Sequence, residues 1–78
     1  MKQTLTYIVS SIVDQPEHVA IEETEENGVI NFNVTVAKED MGKVIGKEGR
    51  IIRSIRNVMK IPAIKQGKKI TISLIETA

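Results

Sequence analysis

The sequence predicts an α+β fold in which three helices pack on one face of a three-stranded sheet, in the order α-β-β-α-α-β. Three segments have apolar residues at helical spacing, three others alternate apolar and polar residues, and glycine or proline separates many of them. Seventy-eight residues are enough for one modest core, so residues 1–78 are expected to form a single domain.

The first helix is predicted over residues 5–13, where apolar side chains recur at intervals of three and four positions. It is expected to end near residues 14–16, because Pro16 restricts the backbone of Gln15.

A β-hairpin is predicted next. Residues 18–23 alternate in polarity, and residues 30–36 place every second, apolar side chain on one face. Asn27 and Gly28 lie between the two runs and tolerate the positive φ of a type I′ turn.

Two further helices are predicted with a tight turn between them. Residues 41–45 predict a short helix, which Gly46 interrupts. The next helix is expected to begin at Gly49 and to run to about Ile61, where Pro62 would remove a helical hydrogen bond.

The last predicted element is a strand. Gln66 and Gly67 predict a turn, and residues 68–75 alternate in polarity. The residues expected to face the core are Ile70, Ile72 and Leu74.

The third predicted helix is amphipathic. Its expected core face comprises Ile51, Ile52, Ile55, Val58 and Met59. Its opposite face carries Arg50, Arg53, Arg56, Asn57 and Lys60. Taken alone, this pattern is typical of an ordinary surface helix.

The two halves of the chain carry opposite charge. Residues 1–37 contain one basic and six acidic side chains, a net charge of −5, and residues 38–78 contain ten basic and four acidic ones, a net charge of +6. The basic half is where a polyanion would be attracted, although charge blocks are also common on solvated surfaces.

The loop between the second and third helices has features of a phosphate-binding site. Gly46 and Gly49 lack a Cβ, so the backbone of another molecule can approach the loop closely. The loop amides and the first N–H groups of the following helix point toward that same place. Lys43, Lys47 and Arg50 surround the predicted anion position. The alternative is that Gly46 only ends one helix and Gly49 only forms a turn.

Other phosphate motifs do not fit this spacing. A P-loop needs four residues between its glycines and a Lys-Ser or Lys-Thr end, whereas Gly42 and Gly46 enclose three residues and Glu48 follows Lys47. A dinucleotide fingerprint follows a strand, and this loop follows a predicted helix. No nucleotide cofactor and no small-molecule substrate are therefore expected.

Composition argues against several other classes of protein. The absence of cysteine excludes a disulfide framework and fits a reducing compartment. His18 is the only histidine and has no predicted nucleophile beside it, so neither an enzyme nor a metal site is expected. Apolar stretches are too short for a signal sequence or a membrane span, which favours the cytoplasm and no membrane partner.

Residues 44–55, VIGKEGRIIRSI, resemble the V-I-G-x-x-G-x-x-I-x-x-I core of KH domains. The element order, with a helix and a strand ahead of that core, is similar to the bacterial type II arrangement. Residues 40–50, DMGKVIGKEGR, together with the N-terminal helix and residues 13–17, VDQPE, look like the stand-alone bacterial KH-domain protein A (KhpA) family. The resemblance covers roughly residues 1–75.

The resemblance implies a protein that clamps about four nucleotides of single-stranded RNA in its GxxG loop. Carried over by position, the RNA-binding residues would be Lys43, Ile45, Gly46, Lys47, Glu48, Gly49, Arg50 and Arg53. The family also implies a post-transcriptional regulator or RNA chaperone that works as a homodimer or with a KhpB (Jag)-like partner, linked to cell elongation and envelope homeostasis. The only aromatic residues, Tyr7 and Phe32, are not near the loop, so no stacking platform is expected.

The competing hypothesis is a protein-interaction module that keeps this fold with weak RNA affinity. Residues 61–64 lie at or beyond the expected end of the third helix, and Ile61 projects outside its core stripe. Ile61 and Ile64 are candidates for a self-complementary contact about a two-fold axis. The alternative is that these residues pack beneath the third strand.

Overall fold

The computed structural model describes residues 1–76, and Thr77 and Ala78, the end of the predicted domain, lie outside the described residues. The helices are α1 (Lys2–Ile12), α2 (Met41–Ile45) and α3 (Arg50–Lys65), and the strands are β1 (Ala20–Glu26), β2 (Val29–Val36) and β3 (Lys69–Glu76). Single 3-10 turns lie at Pro16–His18, Lys38–Asp40 and Lys47–Gly49. The predicted order α-β-β-α-α-β is confirmed.

The three strands form one mixed sheet in the order β1-β2-β3. β1 pairs with β2 in an antiparallel ladder, and β2 pairs with β3 in a parallel ladder, because α2 and α3 form the crossover between them. The hairpin turn has φ of 53° at Asn27 and 77° at Gly28, as a type I′ turn requires, so the predicted hairpin is confirmed.

The core lies between one face of the sheet and the three helices. β2 supplies its centre, because every second side chain of this middle strand is fully buried while Asn31, Asn33 and Thr35 point to the opposite face. The helices cover that centre with apolar side chains at helical spacing. The main contributors are Leu5 and Val9 from α1, Val44 from α2, and Ile52, Ile55, Met59 and Ala63 from α3. From β3, Ile72 is buried, while Ile70 and Leu74 are half-buried.

The predicted end of the third helix is wrong, because α3 continues past Pro62 to Lys65. Gly67, with φ of 69°, closes the helix as a Schellman motif. In that motif the Lys68 N–H donates to the Ala63 carbonyl at 2.9 Å, and the Gly67 N–H donates to the Ile64 carbonyl at 2.9 Å. This cap, together with burial of Ala63, offsets the hydrogen bond that Pro62 cannot donate.

Two further expectations need correction. The first strand begins at Ala20 and not at His18, because Pro16–His18 forms a 3-10 turn closed by the Val19 N–H on the Pro16 carbonyl. On α3, Ile51 and Val58 are 39 % and 49 % exposed, since they lie on the flank of the helix beside α1 and not above the sheet. Within residues 1–76, no helix has both the length and the apolar character that crossing a membrane would require.

Candidate nucleic-acid interface

The 46–49 loop, hereafter the glycine loop, is one tight turn between α2 and α3. α2 ends where the Gly46 N–H donates to the Gly42 carbonyl at 2.8 Å, and Gly46 then has φ of 76° and ψ of 175°. The Gly49 N–H turns back to the Gly46 carbonyl at 3.2 Å. The N–H groups of Lys47 and Glu48 precede the helical hydrogen bonds of α3, so they remain available to an acceptor on another molecule.

The two glycines of this loop are required for different physical reasons. A Cβ added to Gly46 would lie 2.5–2.8 Å from side-chain atoms of Ile51, a distance that real Cβ atoms do not show. A Cβ added to Gly49 would lie 4.0 Å from Ile52, so space is available there and only its φ of 71° favours glycine. Both glycines therefore shape the loop, whatever it binds.

The basic side chains predicted around the glycine loop differ in how they are paired. The Lys43 ammonium forms an ion pair with the Asp14 carboxylate and lies 3.7 Å from Asp40. Arg50 is exposed and lies 3.6 Å from the Glu48 carboxylate. Lys47 is exposed, and within residues 1–76 no carboxylate lies within 4.0 Å of its ammonium.

Lys43 is held in place by these acidic partners. The hydrogen bond to Asp14 raises the pKa of the Lys43 ammonium, against a smaller opposing effect of burial, and the charges of Asp14 and Asp40 raise it further. Lys43 therefore stays charged but is already neutralised within the protein.

Asp40 is a structural residue that sequence reasoning missed. Its buried carboxylate accepts hydrogen bonds from the backbone N–H groups of Asp14 at 3.1 Å and Gln15 at 3.0 Å. Burial alone would raise the pKa of this carboxyl, but the two N–H donors and the Lys43 ammonium together hold it below its ordinary value of 3.8. Asp40 thus ties the segment after α1 to the start of α2.

Arg53 turns back toward the glycine loop. Its Nη2 donates to the Glu48 carbonyl at 2.8 Å and its Nε donates to the Gly49 carbonyl at 3.3 Å. The sequence placed Arg53 on the polar face of the helix, which is correct, but could not show that its guanidinium contacts this backbone.

A basic groove lies between α3 and the open edge of β3, where the Lys68 ammonium is paired with the Glu25 carboxylate at 2.8 Å. The Arg56 Nη2 spans it and donates to the Ile72 carbonyl at 3.3 Å. Farther from the glycine loop the groove contains a cavity of about 240 Å³. The cavity is lined by Lys60, Ala63, Ile64, Lys68, Lys69 and Ile70. Sequence reasoning missed Lys68, Lys69 and Ile70 as groove residues, and their only signal was their place in the basic half of the chain.

A second groove, the α1–α3 groove, lies on the other flank of α3 and is mainly apolar. Its volume is about 360 Å³. Its lining residues are Ile8, Ile12, Arg50, Ile51, Ser54, Ile55 and Val58. Farther along α3 and outside this groove, Ile61 and Ile64 are 58 % and 70 % exposed, so neither packs beneath β3, although Ile64 lines the cavity beside that strand. Ala63, between them, is buried.

The described residues 1–76 contain no group of three or more His, Cys, Asp or Glu side chains placed to hold a metal ion. Every buried side-chain nitrogen or oxygen atom in that part of the chain has a hydrogen-bond partner.

Comparison with known proteins places the chain beside bacterial KH proteins. The family profile described as "KhpA/KhpB, KH domain" matches residues 2–74. The RNA-binding protein KhpA of Chlamydia trachomatis is 42 % identical over 76 residues, which is 97 % of each chain. Proteins of the same name are 45 % identical in Clostridium acetobutylicum, over 96 % of this chain and 100 % of the relative, and 41 % identical in Listeria monocytogenes, over 97 % and 100 %.

Proposed function

This chain belongs to the family of KhpA/KhpB KH domains, and on that premise we propose that it binds single-stranded RNA with its glycine loop. The observation that carries the proposal is the loop geometry. The available N–H groups of Lys47 and Glu48 belong to one exposed turn, together with the Lys47 ammonium, which no carboxylate of residues 1–76 pairs. A phosphate can be held there by amides and charge together.

The neighbouring residues have different proposed roles. Gly46 and Gly49 give the loop its shape, and Ile45, which is on the exposed end of α2, offers an apolar surface beside it. Arg50 can contact a phosphate once its weak pairing with the exposed Glu48 is given up. Lys43 is assigned no direct phosphate contact, because Asp14 and Asp40 occupy its ammonium and neutralise its charge.

The nucleotides beyond the clamped phosphate are proposed to lie in the basic groove between α3 and β3. β3 is an edge strand, so its outer backbone groups, apart from the Ile72 carbonyl that accepts from Arg56, can bond to base edges. Base stacking on aromatic rings contributes nothing in this groove, because Phe32 is fully buried and Tyr7 belongs to α1. We therefore expect modest affinity that depends strongly on salt.

In the cell, we propose that the chain acts as a single KH domain in the cytoplasm, as a post-transcriptional regulator or RNA chaperone and not as an enzyme. Its family resemblance supports a link to cell elongation and envelope homeostasis.

The test is fluorescence anisotropy of a labelled single-stranded RNA at low salt. The double variant Lys47→Asp, Glu48→Asp changes the loop charge by −2, all of it at Lys47, and should lose binding at least about tenfold. The matched control is Lys2→Asp, which makes the same charge change in the first turn of α1 and should bind within about twofold of wild type.

Circular dichroism of the three proteins checks that each one is folded. Equal binding by wild type and the loop variant, or no binding by wild type at low salt, would remove the glycine loop as the RNA site.

A second candidate function is self-association through α3, which the exposure of Ile61 and Ile64 favours. We propose a second copy of this chain as the occupant, because two exposed isoleucines one turn apart on a helix can pack against their own symmetry copies about a two-fold axis. An exposed apolar patch of this kind should hold at high salt, unlike an RNA contact.

Sedimentation of wild type, Ile61→Asp and the control Ile75→Asp tests this idea, since Ile75 is 45 % exposed on β3. A dimer that Ile61→Asp alone converts to monomer supports it. Three unchanged masses contradict the self-association proposal. If the chain is a monomer that associates only with a KhpB-like protein, a heterodimer takes the place of the proposed homodimer.

A further inference from the structure

The backbone of the glycine loop contains an unusual conformation. Glu48 has φ of 57° and ψ of 25°, and Gly49 follows with φ of 71° and ψ of 19°. Among residues 1–76 only Asn27 shares a positive φ with Glu48 outside glycine, and asparagine tolerates that region far better than glutamate. Some contact must therefore stabilise Glu48 in this state.

The peptide unit between Glu48 and Gly49 is held at both ends. Its carbonyl accepts a hydrogen bond from Arg53 Nη2 at 2.8 Å, and its N–H, which points the opposite way in a trans peptide, donates to the Gly46 carbonyl at 3.2 Å. This peptide plane cannot rotate without breaking one of the two bonds.

The next peptide unit is held in the same manner. The Gly49 carbonyl accepts from Arg53 Nε at 3.3 Å, and the Arg50 N–H donates to the Lys47 carbonyl. One guanidinium therefore bridges two consecutive carbonyls, which its rigid planar fork can do and a single ammonium cannot do with the same geometry.

We propose that Arg53 is a positioning residue, whose guanidinium holds Glu48 and Gly49 in the left-handed conformation that presents the Lys47 and Glu48 N–H groups to an RNA phosphate. The inference rests on the proposed RNA site and assigns Arg53 a role other than phosphate contact. A loop fixed before binding loses less conformational entropy when the phosphate arrives.

The first measurement follows RNA affinity in the variant Arg53→Lys, which keeps the charge but removes the fork. The dissociation constant should rise about tenfold, while the slope of log affinity against log salt stays unchanged because no positive charge is lost.

A second pair of variants separates positioning from phosphate contact. Glycine at position 48 adopts positive φ without help, so Arg53→Lys should cost less than about twofold in a Glu48→Gly background. Glu48→Gln is the matched control, since it removes the same charge but keeps a residue that disfavours positive φ, and there Arg53→Lys should still cost about tenfold. Equal costs in the two backgrounds would overturn the proposal and make Arg53 a phosphate ligand.

Amide hydrogen exchange of the protein without RNA tests, independently of function, whether the two Arg53 hydrogen bonds hold the loop backbone. The Gly49 N–H should exchange at least about fivefold faster in Arg53→Lys than in wild type, because its peptide unit has lost one of its two anchors. Unchanged exchange would contradict the proposed role of Arg53 in holding the loop. If wild type binds no RNA but Arg53→Lys still speeds Gly49 exchange, the RNA site is wrong while Arg53 does hold the loop.

Discussion

The side chain of Ile51 fills the space that a Cβ at Gly46 would occupy, and this packing links the glycine loop to the first turn of α3. Ile51 also lines the α1–α3 groove, so one side chain contacts both the loop and the apolar flank of the helix. The shape of the loop is therefore set by packing as well as by backbone conformation.

Gly46→Ala should be the most damaging of three glycine-to-alanine changes. Gly46 has φ of 76° and ψ of 175°, a combination that is nearly exclusive to glycine and costs another residue about 1–3 kcal/mol, and the clash with Ile51 adds about 1–3 kcal/mol of overpacking. Gly49→Ala should cost only about 1–2 kcal/mol, because Gly49 is in the left-handed helical conformation and has space for a Cβ. Gly42→Ala is the control, because Gly42 is helical with open space around it, and should stabilise the fold by about 0.5–1 kcal/mol. Urea unfolding measures all three, and a Gly46→Ala cost no larger than that of Gly49→Ala would contradict the packing argument.

Asp40 should make the stability of the protein depend on acidic pH. Its pKa is lower in the folded state than in the unfolded chain, so its contribution is complete above about 3.8 and is lost as pH falls through the lower folded value. Asp40→Asn should lower the thermal midpoint at pH 7. Below pH 4, the midpoint of this variant should decrease less with falling pH than that of wild type. Scanning calorimetry from pH 2 to pH 7 tests this against Glu17→Gln, which alters an exposed carboxylate and should match wild type.

Lys47 and Lys43 should differ in their effect on RNA binding, although they are four residues apart in sequence. Lys47→Gln should reduce the magnitude of the salt slope by about 0.7, the value for one phosphate contact on a single strand. Lys43→Gln should leave the slope nearly unchanged and instead lower stability, because Asp14 and Asp40 would lose their counterion. Affinity titrations between about 50 and 200 mM salt give the salt slope of each variant. The reverse result would mean that Lys43 leaves its carboxylates to contact RNA.

The end of α3 depends on Gly67, so Gly67→Ala should destabilise the protein by about 1 kcal/mol through its positive φ. Gln66→Ala is the control, since Gln66 is exposed with φ of −94°, and should change stability by less than about 0.5 kcal/mol. Equal unfolding midpoints for the two variants would show that the Schellman motif is not what ends the helix.

The sequence predicts the features of this fold that depend on local chemistry. Asn27 and Gly28 identify the hairpin because their preference for positive φ needs no partner, and alternation in β2 identifies its buried face. The end of α3 could not be predicted from Pro62, because a distant cap at Gly67 and burial of Ala63 outweigh one missing hydrogen bond.

The candidate site is predicted less completely. The glycine loop follows from its motif, but the pairing of Lys43 depends on Asp14, 29 positions away, and no local pattern contains it. The exposure of Ile51 and Val58 depends on where α1 crosses α3, which helical periodicity does not specify. The contacts of Arg53 depend on the carbonyl directions in a left-handed turn.

The most direct test of the RNA-binding site is an NMR titration of the amide signals with a short single-stranded RNA. We predict that the largest shift changes fall on the Lys47 and Glu48 N–H groups, with smaller ones along the groove between α3 and β3. Changes confined to the α1–α3 groove, or no changes at low salt, would contradict the proposal that the glycine loop binds RNA.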